Sequence, residues 1–210
     1  MRGLVCFDVD GTLVPGTSSC AWVAAALGHE AELVAAEAAY AAGRMTNQEA
    51  SVIDARGWAG HTEAEVLARL ETLPLVAGIG ETVAWCRDHE LKPILTTLAW
   101  TPVGRLLARR FGFAAYCGPV AEAVGGRYTG EVAAYLDEYG KRDFALAQGF
   151  APELCAAVGD SRSDLPLFAA VGMSIGFNAA PSARAVATHV VDSGDLRAIL
   201  PLLERQFSSV

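Results

Sequence analysis

A small set of polar residues, scattered along 210 residues of chain, has the types and spacing to move a phosphoryl group. Asp8 and Asp10 follow a short apolar run, Thr96 and Thr97 a second, and Asp160 and Asp164 a third, while Lys141 stands at the start of a predicted helix. Carboxylates crowded into one place repel each other. A hard divalent cation with oxygen ligands relieves this, and Mg²⁺ suits such a set. The same cation neutralises a phosphate so that an anionic nucleophile can approach it. A lysine and a threonine hydroxyl can bind the remaining phosphate oxygens. A second carboxylate beside the nucleophile can protonate a leaving group and later activate water. The chain has only two lysines, and Lys92 opens a predicted strand, at the wrong end of a sheet for chemistry, which leaves Lys141.

The elements that must position these residues alternate between strand and helix. The run at 4–7 reads as a strand buried on both faces of a parallel sheet. Residues 20–73 are rich in Ala, Leu and Glu, with helical spacing at Leu27, Ala31 and Val34 and again at Val66, Leu67 and Leu70. They predict a helical insertion of several short helices. Helices are then expected at 80–90, 102–110, 141–148, 165–170 and 196–204, with strands at 92–96, 114–117, 156–158 and 173–175. Gly125-Gly126 marks a hairpin across 120–132. The fold class is α/β: a Rossmann-like three-layer α/β/α core with a parallel sheet, and a small α-helical cap inserted after the first strand. The core domain is 1–14 with 75–210 and the cap domain is 15–74. In an open parallel sheet, ligands bind beyond the C-terminal strand ends, where these polar residues fall. Asp164 also holds a capping position ahead of Leu165-Pro166, so it can serve both purposes.

Phe7-Asp8-Val9-Asp10-Gly11-Thr12-Leu13 resembles the first motif of the haloacid dehalogenase superfamily, DxDGT, and Gly159-Asp160-Ser161-Arg162-Ser163-Asp164 resembles its fourth, GDxxxD. The order of the Thr and Lys motifs between them also matches, most closely in the phosphoserine-phosphatase-like branch. The resemblance implies that Asp8 forms an aspartyl-phosphate and binds the metal, and that Asp10 is the general acid and base with its carbonyl on the metal. It makes Asp160 a direct metal ligand and Asp164 a ligand through water or a support for one. Lys141 binds the phosphate and the nucleophile. Thr97, or else Thr96, binds a phosphate oxygen, with Thr97 fitting the motif better. Thr12 steadies the loop, and Val9, Gly11 and Leu98 complete the phosphate-binding set. In the insertion, Arg44, Arg56 and Trp58 are the candidate contacts to the leaving group.

The bulk properties agree with an enzyme on a small anion. Net charge is −8 and the pI is about 5.0, which disfavours nucleic-acid and anionic-membrane partners. The five cysteines show no C-x-x-C spacing, pointing to a reducing compartment. No signal-peptide pattern or membrane span is seen, so the expected location is cytoplasmic. The four histidines lack ligand spacing. The oligomeric state is left open.

The expected activity is Mg²⁺-dependent hydrolysis of a small phosphorylated metabolite, with residues 15–74 opening and closing as a lid. The branch carries a glutamate for the substrate ammonium a few residues after DxDGT. Here that position is Thr17, and no acidic residue occurs between Asp10 and Glu30. This argues against phosphoserine. The alternatives are a phosphoserine phosphatase, a phosphotransferase or mutase sharing the same intermediate, and a phospho-ligand binding module without catalysis. The absence of lysine from 1–91 excludes a Schiff-base hydrolase, and Asp10 excludes a dehalogenase.

Overall fold

A computed structural model of the chain describes residues 1–208. Strand β1 (Gly3–Phe7) leads into four helices: α1 (Ser19–Leu27), α2 (Glu30–Ala41), α3 (Asn47–Gly57) and α4 (Glu63–Leu70). Then come α5 (Ile79–Asp88), β2 (Leu91–Leu95), α6 (Thr101–Phe111), the hairpin β3 (Val120–Val124) and β4 (Arg127–Ala134), and α7 (Glu138–Leu146). The chain finishes with β5 (Cys155–Gly159), α8 (Leu165–Phe168), β6 (Met173–Phe177), α9 (Pro181–Arg184), β7 (His189–Val191) and α10 (Leu200–Ser208).

The main sheet has five parallel strands in the order β2-β1-β5-β6-β7. β1 is central and wholly buried, and its side chains alternate between two apolar clusters. Val5 and Phe7 join α5, α6 and α10 on one face through Val83, Leu107 and Phe207. Leu4 and Cys6 join α7, α8 and α9 on the other through Ala145, Phe168 and Ala183. These are the three layers of the expected fold.

Inserted between β1 and α5, the helices start and stop on local signals. α3 and α4 each open with a capping box, Thr46 with Glu49 and Thr62 with Glu65. α1 ends where Gly28 adopts φ +88. That break explains why Leu27, Ala31 and Val34 do not form one stripe: they belong to two helices, and Val34 is exposed. No described helix is long and apolar enough to cross a membrane.

Other sequence expectations need correction. Residues 114–117 contribute only an isolated bridge, Tyr116 to Leu95. β7 was not anticipated, because three residues with polar neighbours carry too little pattern. α7 begins three residues before Lys141, capped by the Asp137 carboxylate. The hairpin forms at Gly125-Gly126 but stands apart from the main sheet and packs on α3. There Trp58 meets Tyr128 with ring centroids 4.9 Å apart, and the Gly60 and Tyr128 backbones are bonded.

Candidate active site

Strand register brings the polar residues together. Phe7 pairs with Leu95 on one side and Val158 on the other, so Asp8, Thr96 and Gly159 leave the sheet at one level. The Thr96 amide bonds the Phe7 carbonyl, and the Asp8 amide bonds the Val158 carbonyl. The loop after β1 then folds back on itself, with the amides of Thr12, Leu13 and Val14 all reaching the Val9 carbonyl. Gly11, at φ +83, lies against the Asp160 carboxylate, where a Cβ would collide. Gly159 is likewise pressed against the Asp164 carboxylate. The glycines of both motifs are thus the space into which the carboxylates fit.

Lys141 is fully buried at the centre of the site. Its Nζ donates to Asp8 Oδ1 at 2.8 Å, Asp164 Oδ1 at 2.5 Å and Ser163 Oγ at 3.4 Å. Burial works to lower its pKa, but the carboxylates of Asp164 and Asp8 outweigh that and hold it above the ordinary lysine value. Asp164 Oδ2 accepts from the amides of Asp160 and Ser161. Both its oxygens are therefore engaged, which suits a supporting role. Thr12 is buried with Oγ1 3.5 Å from Asp160 Oδ1.

Asp8, Asp160 and Asp164 each offer an oxygen within 4.8 Å of the others. Three carboxylates crowd around a single ammonium in a largely buried site, with the charge of Asp10 close by. Burial raises the pKa of Asp8, with Asp164 adding to it and Lys141 opposing. Asp160 is raised by burial and by Asp8 and Asp164. Such a site is short of positive charge, and its candidate ligand atoms are all oxygens. Those are the conditions in which a hard divalent ion binds.

Asp10 points elsewhere. Its carboxylate accepts from Ser19 N at 2.6 Å and Ser19 Oγ at 3.1 Å, at the N-terminus of α1. Burial raises its pKa to about 6, with the Ser19 bonds pulling the other way. It therefore stands ready to exchange a proton near neutrality.

A cavity of about 290 Å³ opens above these groups. Asp8, Asp10, Gly11, Thr97, Leu98 and Asp160 form its floor. Thr97 Oγ1 accepts from the Ala99 amide at 3.0 Å. Thr96 does not line the cavity, and its buried hydroxyl has no partner. Of the insertion's candidates, none lines it. Arg56 is exposed, Trp58 is packed between Trp100 and Tyr128, and Arg44 borders a different cavity with Arg162 and Glu138.

The wall is built instead from residues that sequence reasoning passed over. Leu33, Glu37 and Tyr40 come from one face of α2, and Asn47, Ser51 and Asp54 from one face of α3. Their i, i+4, i+7 spacing was a readable signal: a helix stripe that carries polar groups where a core-facing stripe would be apolar. Glu37 Oε1 accepts from Ser18 Oγ at 2.5 Å. Asp54 is buried, with Oδ1 2.9 Å from His29 Nε2 and Oδ2 accepting from Trp100 Nε1 at 2.6 Å.

Comparison with known proteins agrees with this geometry. The family model for haloacid dehalogenase-like hydrolases matches residues 5–169. A phosphoserine phosphatase of Halobacterium salinarum is 31% identical over 91% of this chain and 93% of its own. One of Albidiferax ferrireducens is 28% identical over 96% and 89%. A solved substrate-bound phosphoserine phosphatase complex superimposes with a TM-score of 0.87 at 21% identity, covering 96% of this chain and 98% of that one. The chain belongs to the haloacid dehalogenase-like hydrolases, among the phosphatases of the phosphoserine-phosphatase-like branch.

Proposed function

We propose that the enzyme hydrolyses a small phosphomonoester through a phosphoryl group carried on Asp8, with O-phosphoserine as the first substrate to test. The observation that carries this reading is the buried Lys141 bonded to Asp8 at 2.8 Å beneath a cavity that Asp10 also lines. Lys141 holds the Asp8 carboxylate in place and neutralises charge as the phosphate arrives. Asp8 attacks phosphorus, the ester oxygen departs, and Asp10 gives that oxygen its proton. Asp10, now a carboxylate, takes a proton from water, which attacks the phosphoryl group and releases phosphate and free Asp8. Thr97 and the amides of Val9 and Leu98 receive the phosphate oxygens, while the Gly11 and Thr12 amides hold the loop itself by donating to the Val14 and Val9 carbonyls. Asp8, Asp160 and the Asp10 carbonyl are the groups that would hold Mg²⁺, with Asp164 supporting them. Bound there, the ion supplies charge neutralisation to the phosphate. Residues 15–74 form a lid whose closure keeps bulk water away during the first transfer.

The expectation that phosphoserine is not the substrate is set aside. It rested on Thr17 replacing a glutamate. Thr17 does line the cavity, but so do Glu37 and Asp54, which supply carboxylates from farther along the chain. The relatives named above are phosphoserine phosphatases, which favours the alternative. The test is phosphate release from O-phosphoserine with Mg²⁺ present. Asp8→Asn should lower kcat by on the order of 10⁴-fold or more while leaving substrate binding nearly intact. Turnover by that variant close to wild type would end the assignment.

A further inference from the structure

The wall of the cavity is lopsided in charge. Glu37 and Asp54 both line it, and none of its lining residues is Lys, Arg or His. The two carboxylates are not equivalent. Asp54 has both oxygens engaged, by His29 and by Trp100. Glu37, among the described residues, bonds only the Ser18 hydroxyl, through Oε1. Ser18 is itself fixed, because its Oγ caps α1 by accepting from the Ala21 amide at 2.8 Å. Glu37 is thus a carboxylate oriented by a helix cap, half withdrawn from water, with acceptor capacity to spare. Tyr40, also on the cavity, carries a buried hydroxyl without a partner. Asn47 and Ser51 add neutral polar groups.

Such a wall rewards one kind of leaving group. An ammonium placed against Glu37 completes a charge-assisted pair in a partly desolvated space. A carboxylate on the leaving group finds no cation there and faces two like charges. We infer that Glu37 selects the substrate, that the leaving group is the alcohol of a small amino alcohol, and that a carboxylate on it contributes nothing to recognition. This rests on the phosphomonoesterase reading and narrows it. Phosphoserine belongs to the class through its amino group alone.

Kinetics on four esters test the inference: O-phosphoethanolamine, O-phosphoserine, glycerol 3-phosphate and 3-phosphoglycerate. The expected ranking by kcat/KM puts phosphoethanolamine at or above phosphoserine, and both at least about tenfold above the two esters that lack an amine. Glu37→Gln should raise KM for the two amines by about 10–100-fold, over and above whatever smaller change it makes in kcat for all four esters by removing a charge near Asp10. Glu37→Asp should restore part of the amine preference. The melting temperature serves as the folding control, and the wild-type ranking decides the matter even if a variant does not fold. The inference is overturned if 3-phosphoglycerate matches phosphoethanolamine, if phosphoserine exceeds phosphoethanolamine by tenfold or more, or if Glu37→Gln weakens all four esters equally. In those cases Asp8-dependent hydrolysis of p-nitrophenyl phosphate would leave the phosphatase reading standing. Absence of that hydrolysis would remove both.

Discussion

The floor of the cavity and its wall both present carboxylates, yet hold them in different ways. On the floor, Asp8 shares one buried ammonium with Asp164, which lies beneath the cavity and takes two backbone amides besides. These groups come from loops at strand ends, whose positions follow from sheet register. On the wall, Glu37 and Asp54 come from two helices of the insertion and are held by side chains: Ser18 for one, His29 and Trp100 for the other. The difference teaches a division of labour. Backbone-anchored groups hold the geometry that phosphoryl transfer requires, while groups on helix faces can be exchanged singly to suit a leaving group.

The comparison breaks most sharply at Lys141. Lys141→Met keeps the length of the side chain and removes the charge. Asp8 and Asp164 then lose their shared partner in a dry interior, at a cost of about 3–5 kcal/mol. Thermal denaturation should show this loss, and turnover should fall below detection. A wall substitution such as Glu37→Gln should leave the melting temperature nearly unchanged. If Lys141→Met melts like wild type, the floor is less tightly coupled than its hydrogen bonds imply.

Removing divalent cations sharpens the same contrast through pH. Burial raises the pKa values of Asp8, Asp10 and Asp160, Asp10 to about 6. The folded protein therefore binds more protons than the unfolded chain above the ordinary carboxylate range near pH 4. Stability carried by these groups is present below that range and is lost as pH rises through the folded values. In chelator, the melting temperature should fall as pH rises from about 4 through 6 and beyond, and Mg²⁺ should restore most of the loss at the high end. A profile that rises with pH, or one that Mg²⁺ leaves unchanged, would show that the floor is not the cation-deficient cluster described above.

The two regions also differ in how far they could be read from sequence. Asp8-Val9-Asp10-Gly11-Thr12 and Gly159-Asp160 through Asp164 were legible because close contacts fix their spacing: Gly11 against Asp160 and Gly159 against Asp164 leave no room for another residue. The parallel sheet was legible because β1 and β5 are buried on both faces and read as continuous apolar runs. The wall was not. No acid stands near Thr17 along the chain, but α2 folds back to bring Glu37 against Ser18 in space. Residue type marks Arg56 and Trp58 as candidates, but the hairpin covers Trp58 and Arg56 turns to solvent. Nothing in the hairpin's own sequence says which helix it will meet.

The smallest effect worth measuring lies at the join between the regions. Trp100 precedes α6 in the core, and its Nε1 donates to Asp54 on α3 at 2.6 Å, with both residues buried. Trp100→Phe keeps the aromatic contact with Trp58 but deletes the donor, leaving Asp54 with His29 alone. The loss should be about 1–3 kcal/mol in stability. If the wall only positions the leaving group, KM should rise a few-fold while kcat stays within about twofold, because Asp8, Asp10 and Lys141 are untouched. A double-mutant cycle with Asp54→Ala isolates the pair, since Ala removes the acceptor and the accompanying loss of the His29 contact is common to both Trp100 backgrounds and cancels. A fall in kcat comparable to that of a floor variant, with KM unchanged, would mean that α3 takes part in assembling the reacting groups. The line drawn between floor and wall would then have to move to include Asp54.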